Sequence, residues 1–309
     1  MIGSGQHTYE WVENWARIPD SESARTGWAH PGIVASETGL MATFHQADPT
    51  VLLFDADGTL HGAWEADVSN GHGMALVKEG DAEYIWLADN NTGAVIKTTL
   101  DGQTVMSINK PNLSIYKKGK YSPTSVTVFE ERHGGNGDVW VSDGYGQYYV
   151  HRYTKSGEYL ASINGEEGDT GRFDGSHGVA VDTRKSEAEL YITDRSNNRV
   201  QVYDMDGNYK RAFGEDFLRL PSAFATDGEN LIVAELRASL AVLDADDDLI
   251  ERLGENEPVC DIDGWPNVAA EKIEPGKFNS PHGVATDADG NIYVAEWLIG
   301  GRTIKLLKQ

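Results

Sequence analysis

Residues 176–214 read SHGVAVDTRKSEAELYITDRSNNRVQVYDMDGNYKRAFG and contain four short apolar runs separated by turn residues. The runs are 178–182, 189–194, 199–204 and 209–214, and all are rich in the β-branched and aromatic residues that favour strands. Met205-Asp206-Gly207-Asn208 supplies a hairpin turn between the last two runs. Four adjacent strands within about 40 residues are typical of one blade of a β-propeller.

The start of this segment recurs along the chain. Ser176-His177-Gly178-Val179 has counterparts such as Gly71-His72-Gly73-Met74 and Pro281-His282-Gly283-Val284. We call the position of His177 in each copy the slot, and successive slots lie 42, 52, 53, 45 and 60 residues apart. In chain order the slot residues are His30, His72, Thr124, His177, Ser222 and His282. Six copies predict an all-β, six-bladed β-propeller forming a single domain over residues 1–309.

The two ends of the chain are predicted to complete one blade together. After His282 only three strands are visible, whereas the N-terminal run 9–15 has no slot phrase before it. Pairing of this run with the C-terminal strand at 303–307 would close the ring and leave no exposed sheet edge. Segments 112–121 and 255–279 stand out as insertions before blades three and six.

The composition excludes several classes of protein. The 26 Lys and Arg residues against 49 Asp and Glu give a net charge of −23, which argues against nucleic-acid binding and favours solubility or attraction of a cationic ligand. No membrane span is visible, so we expect no contact with a membrane. No signal peptide is visible either, which predicts a cytoplasmic protein. The expected partner is a small-molecule substrate. The single cysteine, Cys260, leaves no internal disulfide.

Three slot residues are histidines at equal intervals. His72, His177 and His282 follow one another at 105 residues and belong to blades two, four and six. Alternate blades of a six-fold ring are about 120° apart, so the imidazoles are predicted to converge at one end of the channel. They would bind a transition metal, most plausibly zinc, with a fourth position open to water or substrate. The alternative is that slot histidines are structural and hydrogen-bonded, which His30 in blade one supports.

Acidic residues end the second strand of five blades. They are Asp89, Asp143, Asp194, Glu235 and Glu296. A carboxylate in this position can accept backbone N–H groups in the next turn. We therefore predict a structural role for these residues rather than a carboxylate metal cluster.

The phrase Asp194-Arg195-Ser196-Asn197-Asn198-Arg199-Val200-Gln201-Val202 and the Asp-Gly hairpins resemble NHL repeats. Within that group the chain resembles the peptidyl-α-hydroxyglycine α-amidating lyases over nearly its whole length. Those enzymes are six-bladed propellers that hold zinc by three histidines from alternate blades. They cleave a carbinolamide C–N bond and release an amide and glyoxylate.

The resemblance assigns roles to individual residues. It implies that His72, His177 and His282 are the zinc ligands, that Tyr145 is the catalytic base, and that Arg195 faces the same cavity. A phenol normally ionises near pH 10, so a tyrosine base needs a neighbouring metal or arginine cation. The alternative for Tyr145 is packing with Tyr148 and Tyr149, and for Arg195 a structural place at a strand end.

Two departures from the family pattern concern blades one and six. The family has an arginine after Phe-His, whereas here Phe44-His45 is followed by Gln46. We take His45, Gln46 and His30 as candidate substrate-binding residues. The family also binds calcium through two backbone carbonyls, matched by Ile33 and Met74, and an Asp that is Gly283 here. A structural calcium ion is therefore doubtful.

These inferences favour a zinc-dependent, lyase-like enzyme acting on a small hydroxylated or carbonyl substrate at the channel mouth. Another divalent transition metal could take the place of zinc. Two alternatives remain: a propeller lactonase whose metal is bound by carboxylates and carbonyls, and a non-enzymatic NHL binding module.

Overall fold

The computed structural model describes residues 1–46 and 48–309, which are almost entirely strands and turns. These residues contain six four-stranded sheets and one two-stranded sheet. The fold is a six-bladed β-propeller, as the slot spacing predicted. The chain divides into two compact units, one formed by Glu65–Pro221 and the other by Met1–Trp64 with Ser222–Gln309. That residues 1–309 form a single domain stays a prediction.

The unit Glu65–Pro221 contains blades two, three and four. The strands of blade two are Gly71–Glu79, Ala82–Asp89, Val95–Thr99 and Thr104–Ile108. Those of blade three are Ser125–Val128, Val139–Ser142, Val150–Tyr153 and Tyr159–Ile163. Those of blade four are Ser176–Asp182, Glu189–Asp194, Arg199–Tyr203 and Tyr209–Phe213, which confirms the four strands predicted from residues 176–214. Consecutive strands of each blade pair antiparallel.

Apolar side chains of neighbouring blades form the core of this unit. Val77 and Trp86 of blade two pack with Val126 and Val141 of blade three. The second strand of blade four, Glu189–Asp194, is buried along its whole length.

The other unit contains blades one, five and six. The strands of blade one are Ile33–Ala35, Met41–Phe44, Thr50–Phe54 and Leu60–Glu65. Those of blade five are Pro221–Asp227, Asn230–Glu235, Ser239–Leu243 and Leu249–Leu253. Blade six consists of Pro281–Thr286, Ile292–Glu296, Arg302–Lys308 and the N-terminal strand Tyr9–Glu13. The short strands Trp28–Ala29 and Leu298–Ile299 pair with each other.

The N-terminal strand joins the last blade, as predicted. Tyr9 lies opposite Lys308 and Glu13 opposite Ile304 in an antiparallel ladder. The Arg302 side chain reinforces the joint, because it donates hydrogen bonds to both carboxylate oxygens of Glu13 and to Glu296.

Helices are few and short. The only α-helix of the described residues is Glu22–Thr26, capped by the Ser21 hydroxyl. The 3-10 helices are Gly5–His7, Ser114–Lys117, Glu131–His133, Arg195–Asn197, Glu257–Asp261 and Ala270–Lys272. None of these helices has the length and apolar character needed to cross a membrane.

Candidate metal and catalytic site

A carboxylate at the end of the second strand holds the segment that precedes the slot. The hydrogen-bonded pairs are Asp89 with the N–H groups of Ser69 and Asn70, Asp143 with Ser122, Asp194 with Asp174, and Glu296 with Asn279 and Ser280. Burial raises the pKa of Asp89, but these and further hydrogen bonds lower it below its usual range. In blade five Glu235 instead accepts from the Ser239 hydroxyl and the Arg252 guanidinium. The predicted acceptance of backbone N–H groups is thus confirmed for four of the five strand-end carboxylates, and the partners described for Glu235 are side chains.

Strand pairing defines the slot independently of sequence similarity. In blades two, three, four and six, the residue two positions after the slot pairs with the residue two positions before the strand-end carboxylate. In blade one Ile33 pairs with Thr43, which places Pro31 in the slot and His45 at the carboxylate position. The assignment of His30 to the slot was therefore wrong by one residue. His30 consequently gives no support to the idea that slot histidines are merely structural.

In the unit Glu65–Pro221, His72, His177 and Tyr145 converge. The two imidazoles are 0% and 2% exposed, and their centroids are 4.9 Å apart. The Tyr145 hydroxyl oxygen lies 3.3 Å from His72 Nε2 and 3.2 Å from His177 Nε2. Its ring contacts both imidazoles edge to face. The predicted base and two of the predicted ligands thus form one polar cluster.

Arg195 completes this cluster. It is the first residue of the 3-10 helix Arg195–Asn197, directly after the strand-end carboxylate Asp194. Its Nη1 lies 3.5 Å from the Tyr145 hydroxyl oxygen, and its guanidinium carbon lies 5.4 Å from the centre of the Tyr145 ring. Tyr149 stacks on His151 instead, with the two rings nearly parallel. The geometry therefore favours the predicted cluster over the alternative of a packed tyrosine group.

In the other unit, His282 is held by the neighbouring slot. Its Nδ1–H donates to the carbonyl oxygen of Pro31 at 3.2 Å. His30 contacts the His282 ring edge to face, with centroids 5.9 Å apart. Burial lowers the pKa of His30, so this imidazole is neutral at physiological pH. His30 thus lies beside a candidate ligand without occupying a slot.

His45 and Gln46 also lie in this unit, and both bind their own chain. The His45 Nδ1 accepts the N–H of Asp48 at 3.1 Å, and burial lowers the pKa of His45. The Gln46 Nε2 donates to the carbonyl oxygens of Ala24 (2.6 Å) and Gly300 (3.1 Å). Gln46 therefore connects the helix Glu22–Thr26 to blade six. Substrate binding by His45 or Gln46 stays a prediction.

Two of the slot histidines, His72 and His282, have the hydrogen bonding that a metal-binding imidazole requires. His72 Nδ1–H donates to the Thr124 carbonyl oxygen at 2.6 Å, as His282 Nδ1–H does to Pro31. A neutral imidazole with its proton on Nδ1 carries the lone pair on Nε2, and a carbonyl partner is the usual second contact of a metal-bound histidine. The nitrogen donors are buried and suit zinc. These residues fit the zinc ion that the resemblance implies.

A calcium site of the family type meets an obstacle at Gly283. A Cβ atom there would lie 2.7 Å from the carbonyl oxygen of Pro31 and 3.0 Å from the Cα of Gly32. Position 283 therefore has no room for the family's Asp unless blade one moves.

Sequence reasoning missed three participants. Thr124 and Ser222 occupy slots as small hydroxyl residues, and each hydroxyl donates to the carbonyl oxygen of the histidine in the next slot. Tyr116, from the insertion 112–121, donates to the carboxylate of Asp143 at 2.7 Å. The signal for Thr124 and Ser222 was present, because a hydroxyl alternates with histidine along the slots, but it became meaningful only with the hydrogen bonds.

The fold and the slots define a six-bladed β-propeller built from NHL-type repeats. A model of the NHL repeat matches residues 278–297. NHL repeat-containing protein 3 of Homo sapiens is 28% identical over 300 residues, covering 91% of this chain and 79% of the human protein. The Mus musculus protein is 30% identical over 244 residues, covering 73% and 67%. The chain therefore belongs to the NHL repeat-containing protein 3 family.

Solved structures share the fold. A streptogramin B lyase superposes with a TM-score of 0.63 at 14% identity, over 99% of this chain and 100% of its own. A gluconolactonase from Xanthomonas campestris gives 0.63 at 15% identity, over 92% and 87%. Identities this low carry the likeness of fold and no more.

Proposed function

We propose that this protein is a metal-dependent, lyase-like enzyme that acts on a small hydroxylated or carbonyl-containing molecule. His72, His177 and His282 hold the metal, preferably zinc, while Tyr145 moves a proton and Arg195 stabilises negative charge. The observation that carries the proposal is the Tyr145 hydroxyl, placed 3.3 and 3.2 Å from the Nε2 atoms of two buried slot histidines. A phenol aimed at both ring nitrogens beside an arginine is an arrangement for proton transfer rather than for packing.

His282 is assigned as the third ligand because blade six repeats the arrangement of blade two. It occupies the slot, is 4% exposed, and donates from Nδ1 to a slot carbonyl, as His72 does. Strand pairing gives His72 and His282 the same register within their blades. Equivalent places in alternate blades support one three-histidine site.

The residues would divide the chemistry as follows. A bound zinc ion supplies Lewis acidity toward a substrate oxygen. Cleavage of a carbinolamide C–N bond requires the hydroxyl proton to leave as the C=O bond forms and a proton to reach the departing nitrogen. The Tyr145 hydroxyl is positioned to carry that proton, and Arg195 stabilises negative charge that develops beside it.

Gln46 argues against peptide amidation as the particular reaction. The lyases whose sequence pattern the chain resembles have an arginine at this place, whereas the neutral Gln46 amide donates to Ala24 and Gly300. A substrate carboxylate would therefore find no cation there. We propose the wider class of carbinolamides and carbonyl compounds for this reason.

A carboxylate-bound metal, as in the lactonase alternative, is less well supported. The strand-end acids that could supply such ligands already accept hydrogen bonds from their own blades, as Asp89 and Asp194 do. A non-enzymatic binding module, the other alternative, would need no phenol beside the imidazoles.

Metal analysis of the purified protein tests the proposal. We expect about one zinc ion per chain in the wild type, loss of metal in His177→Ala, and full metal in His61→Ala, whose side chain is 53% exposed. A wild-type protein that binds no transition metal would refute the proposal and favour the binding module. Metal retained in His177→Ala but lost when strand-end acids are replaced would favour the lactonase.

Turnover separates the proposed role of Tyr145 from metal binding. The probes are a small N-acyl-α-hydroxyglycine, with glyoxylate release as the readout, and an aldonolactone. We expect Tyr145→Phe to keep its metal and lose at least 100-fold in turnover, the usual weight of a general acid or base. An unchanged rate in this variant would remove Tyr145 from the mechanism.

A further inference from the structure

We infer that Thr124, the slot residue of blade three, is a positioning residue that holds His72, His177 and the Tyr145 turn in one arrangement. It is 1% exposed and contacts all three segments. For its effect on metal affinity the inference rests on the proposed function. The hydrogen bonds themselves do not depend on a metal.

The main chain of Thr124 orients the first imidazole. Its carbonyl oxygen accepts the Nδ1–H of His72 at 2.6 Å, and its own N–H donates to the carbonyl of Ser142 at 2.8 Å. The carbonyl that selects the tautomer of His72 is thus fixed to the second strand of blade three. Rotation of the His72 ring would break this buried hydrogen bond and leave the Thr124 carbonyl oxygen without its imidazole donor.

The hydroxyl of Thr124 joins the other two segments. Oγ1 donates to the carbonyl oxygen of His177 at 2.7 Å and accepts the N–H of Gly144 at 3.2 Å. Gly144 is the residue before Tyr145. One hydroxyl therefore connects the backbone of a candidate ligand to the backbone of the candidate base.

Close packing around Thr124 leaves no room for a side chain at Gly144 or Gly73. A Cβ atom on Gly144 would lie 2.4 Å from both Thr124 Oγ1 and the Ser176 carbonyl oxygen. One on Gly73 would lie 2.3 Å from the Thr124 carbonyl oxygen. Both glycines are required because Thr124 approaches the backbone so closely.

Blade five, in the other unit, also has a hydroxyl residue in its slot close to the backbone of the next slot histidine. Ser222 occupies its slot, and its hydroxyl oxygen lies 3.0 Å from the carbonyl oxygen of Ala234, 3.1 Å from that of His282 and 3.3 Å from that of Pro281, so these carbonyls share its single proton. In both units a small hydroxyl residue in one slot thus secures the backbone of the histidine in the next slot. This recurrence indicates a function of the position rather than an accident of one turn.

The test compares Thr124→Val, which removes the hydroxyl and keeps the shape, with Thr124→Ser, which keeps the hydroxyl. Thr127→Val, in the strand Ser125–Val128 that directly follows Thr124, controls for the loss of a threonine. Titration of the metal-free protein with Co²⁺ should show about 10–100-fold weaker binding in Thr124→Val, with altered visible absorption bands. Thr124→Ser and Thr127→Val should bind as the wild type does.

Imidazole NMR of the metal-free protein decides the inference even if no metal binds. We expect one set of ¹⁵N signals for His72 and His177 in the wild type and in Thr124→Ser, and broadened or doubled signals in Thr124→Val. Signals and Co²⁺ affinity unchanged in Thr124→Val would overturn the positioning role. A wild type that binds no Co²⁺ but shows the expected signals would refute the proposed function and leave Thr124 as a positioning residue.

Discussion

At the scale of single residues, the slot histidine depends on the glycine that follows it. The Thr124 carbonyl that binds the His72 ring also lies where a Cβ of Gly73 would be, at 2.3 Å. We expect Gly73→Ala to push the carbonyl away, lower the free energy of unfolding by about 1–3 kcal/mol and weaken metal binding. Urea denaturation and metal titration measure the two effects.

Gly62→Ala is the matched control, because a Cβ there would meet no atom within 4 Å. It should leave stability unchanged or slightly raised, since alanine restricts the unfolded chain. Equal destabilisation by both substitutions would mean that close approach of the carbonyl is not what requires glycine at position 73.

Single residues also mark the limit of sequence reasoning. The equal spacing of His72, His177 and His282 identified the slots of three blades. His30 was misplaced by one residue because His30-Pro31 imitates the pattern, and only the pairing of Ile33 with Thr43 corrects it. Contacts such as the one between Tyr145 and the imidazoles depend on how a turn folds back, which the sequence pattern does not encode.

At the scale of elements, the insertion 112–121 contributes to a buried chain of hydrogen bonds. Its Tyr116 hydroxyl donates to Asp143 and lies 2.7 Å from Nε2 of His151, whose Nδ1 lies 2.7 Å from the Ser162 hydroxyl. The Tyr159 hydroxyl lies 2.8 Å from the same Ser162 oxygen. All these bonds are satisfied when His151 is neutral with its proton on Nε2, and burial lowers the pKa of His151 to about 3.

This chain of hydrogen bonds predicts that the protein loses stability in acid. His151 accepts a proton near 6.5 when unfolded and near 3 when folded, so the unfolded state binds more protons between those values. The contribution of neutral His151 to the free energy of unfolding is complete above pH 6.5 and is lost toward pH 3, by up to about 1.4 kcal/mol per pH unit. Urea denaturation at several pH values should show a shallower acid loss in His151→Gln than in the wild type, and the exposed His133→Gln should match the wild type. Parallel curves of unfolding free energy against pH for the three proteins would show that His151 does not cause the loss of stability in acid.

The joint of blade six depends on one buried ion cluster. Arg302, 5% exposed, donates to Glu13 on the N-terminal strand and to the fully buried Glu296. Arg302→Met would leave the Glu296 carboxylate buried and unpaired, so we expect a loss of about 3–5 kcal/mol in the free energy of unfolding. Thermal and urea denaturation measure the loss.

Two further variants test whether the unpaired charge of Glu296 causes the loss of stability in Arg302→Met. Lys155→Met breaks a pair with Glu131 in which both side chains are about 70% exposed, and it should cost at most about 1 kcal/mol. Glu296→Gln combined with Arg302→Met should recover part of the loss, because a neutral amide is cheaper to bury than a lone charge. No recovery in the double variant would show that the packing of Arg302 matters more than its charge.

At the scale of the whole molecule, the repeat made the fold predictable. Six slot phrases gave the number of blades, and the missing fourth strand after His282 gave the role of the N-terminal run. The candidate site was less predictable, since each slot is built by partners distant in sequence, such as Thr124 for His72 and Ser222 for His282. A repeat encodes where a residue lies in its blade, whereas the orientation of its side chain is set by the neighbouring blade.

The net charge of −23 is a property of the whole chain and predicts a response to salt. Repulsion among excess carboxylates opposes the compact state, and raising the salt from 0.05 to 0.5 M shortens the screening length from more than 10 Å to a few ångströms. We expect the melting temperature to rise by roughly 2–4 °C for each kcal/mol of repulsion that is screened. Most of the rise should occur below 0.5 M NaCl, because screening saturates, whereas water-structure effects increase steadily with concentration. Differential scanning calorimetry, with sorbitol as an uncharged control, distinguishes charge screening from water-structure effects. A melting temperature that falls with NaCl would show that the surface ion pairs outweigh the net repulsion.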